Sequence, residues 1–230
     1  HHNMDWITGG ALQFLDQWKP TEKPFFLYMA TTLNHGPGPA NRKYTGDPLA
    51  TTAGFLDSPL NVQPPRSSIP ERVRKAGLSV EGPACDLLWL DDGIGAILKR
   101  LEAVGELDNT FVFYFDDHGV ENGKGSLYEG GIRSVSFVWS PHYVKGGRQT
   151  KVRVSNIDFT PTIMQLCAVP GNERHAVDGM SFAAVLQGSE EEIHDHLFFE
   201  LGATRAVLKD GWKYLAFRLP PSLPPNPPKP

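Results

Sequence analysis

The chain has 230 residues, 21% of them charged and 40% apolar, with a formal net charge of −4 at pH 7. That length allows one large domain, or one domain with a small appendage. Both signs of charge are spread along the chain, which excludes the clustered basic face a nucleic-acid groove needs. No apolar run reaches the length of a membrane span.

The N-terminus, His1-His2-Asn3-Met4, leads into a helix almost at once and reads as the edge of a longer protein. Asp5 to Trp18 is the predicted helix, with Ile7, Leu12, Phe14 and Leu15 as its apolar content and Lys19-Pro20 as its stop. Pro24 to Ala30 is a continuous apolar run of strand length. Such a run fits a strand buried on both faces, as in a parallel sheet covered by helices. Residues 34 to 83 are rich in Pro, Gly, Ser and Asn and predict a long loop.

Cys85 to Val104 carries the clearest helical pattern. Leu87, Leu90, Ile94, Ile97, Leu98, Leu101 and Val104 fall three or four apart, and Gly105 ends it. Thr110 to Phe115 predicts a second buried strand and Val135 to Trp139 a third. Asp158 to Cys167 predicts a helix with Asp158 or Thr160 near its cap and Pro161 in the first turn. The alternation of helix and buried strand argues an α/β fold with a mostly parallel central sheet. Past residue 195 the pattern changes. Leu197 to Leu201, Arg205 to Leu208 and Trp212 to Phe217 are short strand candidates, the last two joined by Asp210-Gly211, a hairpin signal. The predicted organisation is an α/β domain over 1–195, the start of a small antiparallel subdomain over 196–219, and a proline-rich tail over 220–230. The two cysteines, Cys85 and Cys167, both stand in apolar contexts and read as buried free thiols; spacing alone leaves a disulfide open.

In open α/β sheets, ligands bind beyond the carboxyl ends of strands. Asp116, Asp117 and His118 follow Phe115 at such an end. A hard cation prefers carboxylate oxygens, with imidazole completing some sites; the same residues also suit a strand-end turn that caps the next helix. Lys124, flanked by Gly123 and Gly125, is placed to meet an anion or to stay solvated in a flexible turn. His35, past the Phe25–Ala30 run, suits holding or protonating an oxyanion, or a purely structural role. Asp91-Asp92 is not a chelating pair, because adjacent helix positions diverge by about 100°. These two carboxylates read as helix-surface groups, or as one hydrogen bond to a neighbouring loop.

Seven segments in order resemble the sulfatase family of the alkaline phosphatase superfamily. Pro24 to Tyr28 with Asn34-His35-Gly36-Pro37 is similar to the family's strand and active-site histidine. Leu90 to Gly95 with Gly105 to Thr110 is similar to its helix-to-strand stretch. Phe113 to Gly119 resembles its strand ending in Ser-Asp-His-Gly, with Asp116 in place of Ser. Gly123 to Arg133 is the most specific match; Asn156 to Thr162, Asp178 to Ser181 and Asp210 to Tyr214 continue it. The resemblance implies an alkaline-phosphatase-like sandwich and hydrolysis of sulfate esters. Asp117 and His118 become the C-terminal pair of calcium ligands. Lys124 becomes a contact to the sulfate that helps the leaving oxygen, and His35 a contact to the sulfate or a donor to the leaving group.

The family's nucleophile motif is Cys or Ser, one residue, Pro or Ala, one residue, then Arg, with the first residue oxidised to formylglycine. Cys85 is followed by Asp-Leu-Leu-Trp and Cys167 by Ala-Val-Pro-Gly, so neither matches. The chain is therefore expected to be the C-terminal portion of the catalytic domain, inactive alone, acting in its parent on a sulfated small molecule or glycan. A phosphodiesterase or phosphonate hydrolase of the same superfamily, and a non-catalytic remnant or binding module, are the alternatives. A periplasmic, secreted or lysosomal location goes with the resemblance; the oligomeric state is left open. The basic residues of the long loop, Arg42, Lys43, Arg66, Arg72 and Arg74, are candidate anion contacts without assignment.

Overall fold

The computed structural model describes residues 3–18, 23–33, 35, 43–119, 122–171 and 176–218. The contacts divide the chain into His1–Asp108 and Asn109–Pro230. Arg42, Asn34, Gly36, Pro37 and the tail 220–230 lie outside the described residues.

The first unit is built on three helices. Helix α1 spans Met4–Gln17, and the Asn3 side chain caps it by accepting the Trp6 N–H. Its buried face is Met4, Thr8, Ala11 and Leu15, at steps of three and four. Phe14, expected in the apolar face, is exposed, although its ring meets Phe25 edge-on at 6.0 Å. Helix α3, Ala84–Ala103, falls within a residue of its predicted span. It lies against α1 at Gly93, where a Cβ would stand 2.6 Å from Thr8 Oγ1 and 2.7 Å from Met4 Cε. Glycine is what lets the two backbones approach.

The stretch 34–83 is more ordered than its composition predicts. A two-residue hairpin, β1 (Ala50–Thr51) with β2 (Gly54–Phe55), is followed by a 3₁₀ turn at Arg66–Ser68 and helix α2, Ile69–Lys75. Pro70 near the helix start and Ile69 and Val73 four apart are the local signals for α2. They are too few to stand out in a proline-rich segment. Ile69 and Val73 are both buried.

Two polar networks hold this unit. Asp5 accepts from Arg66 Nε at 2.6 Å and from the Trp89 indole N–H at 2.9 Å, while Arg66 also donates to Asn3 and to the Gly46 carbonyl. The Arg66 guanidinium lies 4.2 Å over the Trp89 ring. Asp92, read as a helix-surface group or a partner to a neighbouring loop, is buried and accepts two parallel bonds from Arg72, each 2.6 Å. The reason is α2: it carries Arg72 over this face of α3, and a fork-to-carboxylate pair satisfies a buried carboxylate. Arg66 and Arg72 thus serve the fold's own carboxylates.

The expected strand Pro24–Ala30 forms no strand among the described residues. Phe25, Leu27 and Met29 are half-buried; Phe26 and Tyr28 are about 70% exposed. Phe25 meets Trp18 edge-on at 5.1 Å. A run apolar on both faces needs strand neighbours as well as covering helices. Among the described residues none pairs with it, so only one face is covered.

In the second unit, β3 (Val112–Phe115) pairs with β4 (Ser136–Trp139), antiparallel, with Phe113 opposite Val138 and Tyr114 opposite Phe137. Phe113 and Phe115 turn inward onto Phe159, at 5.9 and 4.5 Å between ring centroids. They join a core of Phe159, Phe182 and Val185. Tyr114 and Phe137 stack on the opposite face at 4.9 Å. The pairing does not confirm the expected parallel sheet: among the described residues every strand pair is antiparallel. Apolar runs report burial, not strand direction; direction follows from the path of the connecting chain. Helix α4, a single turn at Glu129–Ile132, sits in that connection.

A 3₁₀ turn at Asn156–Asp158 leads into α5, Phe159–Leu166, and α6 spans Ala183–Leu186. The C-terminal sheet is antiparallel, in order β5 (Leu197–Leu201), β6 (Thr204–Lys209), β7 (Trp212–Phe217). Asp210 and Gly211 take φ of 48° and 79°, the left-handed pair that a two-residue hairpin requires. Both cysteines are free; Cys85 is buried as expected, but Cys167 is exposed, at the C-terminal cap of α5. No helix among the described residues is long and apolar enough to cross a membrane.

Candidate active site

The β3 end is where the structure concentrates polar groups. The Asp116 N–H donates to the Val135 carbonyl at 3.0 Å, which extends the ladder one residue beyond β3. Residues two apart on an extended chain share a face. Asp116 accordingly lies beside Tyr114, whose hydroxyl donates to Asp116 Oδ1 at 3.1 Å. Burial pushes the Tyr114 phenol above its ordinary range, and the neighbouring Asp116 carboxylate adds to that. One Asp116 oxygen is therefore engaged within the sheet.

Asp117, on the alternate face, projects a side chain that is 87% exposed. His118 follows, with Nε2 3.5 Å from Asp117 Oδ2 and Nδ1 2.7 Å from the Gly119 carbonyl. The turn is fixed by its backbone. The Gly119 N–H donates to the Gly131 carbonyl at 3.0 Å, and the Asp117 carbonyl accepts from Asn156 Nδ2 at 3.1 Å.

The lysine turn is welded to the same place. Gly123 and Gly125 have φ of 111° and 78°, which L side chains rarely adopt. The Ser126 N–H donates to the Gly123 carbonyl at 3.0 Å, closing the turn that carries Lys124. A Cβ on Gly131 would lie 2.3 Å from the Ser126 carbonyl oxygen and 2.4 Å from that of Gly123; one on Gly119 would lie 2.5 Å from the Gly130 oxygen. Gly131 thus joins the Asp117–His118 loop to the Lys124 turn. Leu127 is buried beneath, and Lys213 of β7 donates to its carbonyl and pairs with Glu129.

Lys124 is exposed at the tip of this turn. His35, also exposed, follows a turn in which its N–H donates to the Thr32 carbonyl at 2.9 Å. His35 belongs to the first unit; Asp117, His118 and Lys124 belong to the second. Among the described residues, no three His, Cys, Asp or Glu side chains are grouped to hold a metal ion. Two contributors went unassigned in the sequence. Tyr114 was hidden inside an aromatic strand. Asn156 was visible only as the first residue of Asn-Ile-Asp-Phe-Thr-Pro-Thr, a segment whose order was legible and whose contact was not.

The sulfatase family model matches residues 5–169. The chain belongs to the sulfatase family. It is 29% identical over 212 residues to N-acetylglucosamine-6-sulfatase of Capra hircus and of Homo sapiens, covering 82% of this chain and 37% of each relative. N-acetylgalactosamine-6-sulfatase of Mus musculus is 26% identical over 188 residues, covering 75% of this chain and 30% of the relative. The chain therefore spans about a third of the length of these relatives. Among solved structures, one from work on glycosaminoglycan metabolism by Bacteroides thetaiotaomicron superposes with a TM-score of 0.66 at 25% identity, covering 93% of this chain and 42% of that one. Another, solved in complex with its substrate D-glucosamine-2-N,6-O-disulfate, superposes at 0.62 with 18% identity, covering 94% and 60%. The sulfatase matches bear out the family resemblance, and the fold is α/β with an antiparallel C-terminal sheet.

Proposed function

We propose that this chain is the metal- and leaving-group-side portion of a sulfatase that hydrolyses a sulfate ester on a sugar. The observation that supports it is the junction at Gly131, which ties an exposed strand-end Asp-His pair to a glycine-flanked lysine. The family membership supplies the reaction class. The sugar follows from the relatives, which act on 6-sulfated amino sugars by name.

The donor chemistry fits calcium in part. The Asp117 carboxylate offers hard oxygens in the open, and His118 stands next to it. Calcium takes about six to eight ligands, so these two are a partial set. When bound, the ion supplies fixed positive charge against the sulfate oxygens. Lys124 places an ammonium against the negative charge that grows on the transferring group and the departing oxygen. His35 contacts the sulfate or donates a proton to that oxygen. Neither cysteine matches the nucleophile motif, and Cys85 is buried; Ser68-Ile-Pro-Glu-Arg72 has the spacing, but its Arg72 is taken up by Asp92 and its Ser68 hydroxyl donates to the Pro65 carbonyl. The chain by itself therefore carries no turnover, and the parallel central sheet is a property of the whole domain, where Pro24–Ala30 gains strand neighbours.

The test is sulfate release from N-acetylglucosamine 6-sulfate and from an aryl sulfate, with a phosphate diester as the contrast. The full-length protein carrying this chain should release sulfate and leave the diester intact. Lys124→Ala should lower kcat by about 100-fold or more, the scale of removing one charge-stabilising donor. Asp117→Asn should weaken calcium binding by calorimetry. Turnover by the chain alone, or diesterase activity exceeding sulfatase activity, would refute the proposal.

A further inference from the structure

We propose that Asn156 is a positioning residue for the Asp117–His118 loop, and that the buried Asp158–His194 pair is what keeps Asn156 in place. The first half rests on the proposed role of Asp117 only for its consequence in metal binding; the anchoring itself is read from the geometry.

The Asp117 and His118 side chains are 87% and 39% exposed, so packing does little to orient them. Orientation has to come from the backbone. Beside the local His118 Nδ1 contact to the Gly119 carbonyl, three bonds tie it to other segments among the described residues: the Asp116 N–H to Val135, the Gly119 N–H to Gly131, and Asn156 Nδ2 to the Asp117 carbonyl. The first two are backbone to backbone. Of these three the last alone depends on a side chain, and it grips the residue whose carboxylate is to be aimed.

An exposed hydrogen bond fixes little unless its donor is itself held. Asn156 opens the 3₁₀ turn Asn156–Asp158, and that turn is held from below. Asp158 is fully buried. Its Oδ2 accepts the Ser155 N–H at 2.7 Å and meets His194 Nε2 at 2.7 Å; its Oδ1 accepts the Met180 N–H at 2.8 Å. The Thr162 hydroxyl donates to the Asp158 carbonyl and accepts the Phe182 N–H. Gly179 closes the other side, where a Cβ would fall 2.1 Å from the Ile157 carbonyl oxygen. One carboxylate thus ties together the turn before α5, the loop before α6 and His194, three residues before β5 begins at Leu197. Asn156 stands on that platform.

Hydrogen–deuterium exchange of the full chain, read by peptide, tests this. Asn156→Ala and the near-isosteric Asn156→Asp, which has no amide donor, should both speed exchange in the peptide covering 117–119 by about threefold to tenfold, the worth of one modest hydrogen bond. Exchange in 197–217 should not change, which shows that the fold is intact. His194→Gln should speed exchange at 117–119 and also at 179–182. Unchanged exchange at 117–119 in both Asn156 variants would overturn the anchor. A His194→Gln effect confined to 179–182 would overturn the platform. In the full-length protein, calcium affinity should fall with the Asn156 variants. Faster exchange with unchanged affinity upholds the anchor and instead removes the calcium role proposed for Asp117.

Discussion

Two glycines two residues apart in α3 should respond to alanine in opposite directions. Alanine favours a helix interior over glycine by about 0.5–1 kcal/mol. At Gly95 nothing lies within 4 Å of the new Cβ, so that gain is realised in full. At Gly93 the Cβ would stand 2.6 Å from Thr8 Oγ1, 2.7 Å from Met4 Cε and 3.0 Å from Gln63 Oε1. Met4 can shift its methyl, but Thr8 is fully buried and its hydroxyl donates to Gln63 at 2.9 Å. Overpacking costs about 1–3 kcal/mol, and the lost hydrogen bond about 1 kcal/mol more. Against a helical gain of about 1 kcal/mol, Gly93→Ala should lose a net 1–3 kcal/mol, roughly. The two variants should differ by about 2–4 kcal/mol in urea unfolding with unchanged m-values. Equal midpoints for the two would refute the close α1–α3 approach.

Three other expectations follow from the same structure. Arg72→Ala should destabilise by about 2–3 kcal/mol, and Asp92→Ala by less, because a freed Arg72, 38% exposed, reaches water while a freed Asp92, 5% exposed, does not; a double-mutant cycle in urea reads the coupling, and equal single-variant losses would contradict it. Tyr114, like Tyr44, should titrate above the ordinary phenol range in an absorbance scan at 295 nm, and Asp116→Asn should bring the Tyr114 component part of the way down, since burial is the larger cause. A phenol raised in the folded state adds stability that is fully present below about pH 10 and is lost as pH climbs through the folded value, so melting temperatures should fall on the alkaline side. Gly131→Ala drives a Cβ into two carbonyl oxygens and should cost about 1–3 kcal/mol or more, with faster exchange at both 117–119 and 123–126; an effect at only one of the two would deny the shared junction.

Much of the fold was legible locally. α1, α3 and the β5–β7 meander come from periodicity and turn chemistry, both short-range properties, and they stand within a residue or two of expectation. The candidate site was read on the same footing: a strand-end Asp117-His118 and a glycine-flanked Lys124 are chemical statements about neighbouring residues. α2 was missed because two apolar positions and one proline are too small a signal inside a proline-rich stretch. For Asp92 the choice between solvent and a neighbouring segment stayed open, because a helix does not reveal which neighbour covers it.

The amino-acid order by itself determined the secondary structure of the strongly patterned segments and the family, and it supplied the candidate residues of the proposed site. Only the tertiary structure decided strand direction, the single covered face of Pro24–Ala30, the Arg72–Asp92 pair, and the Asn156 bond that spans 39 residues to Asp117. The physical reason is range. Helical periods and turn preferences act over about four residues, whereas pairing partners, close glycine contacts and buried ion pairs exist only once distant segments meet.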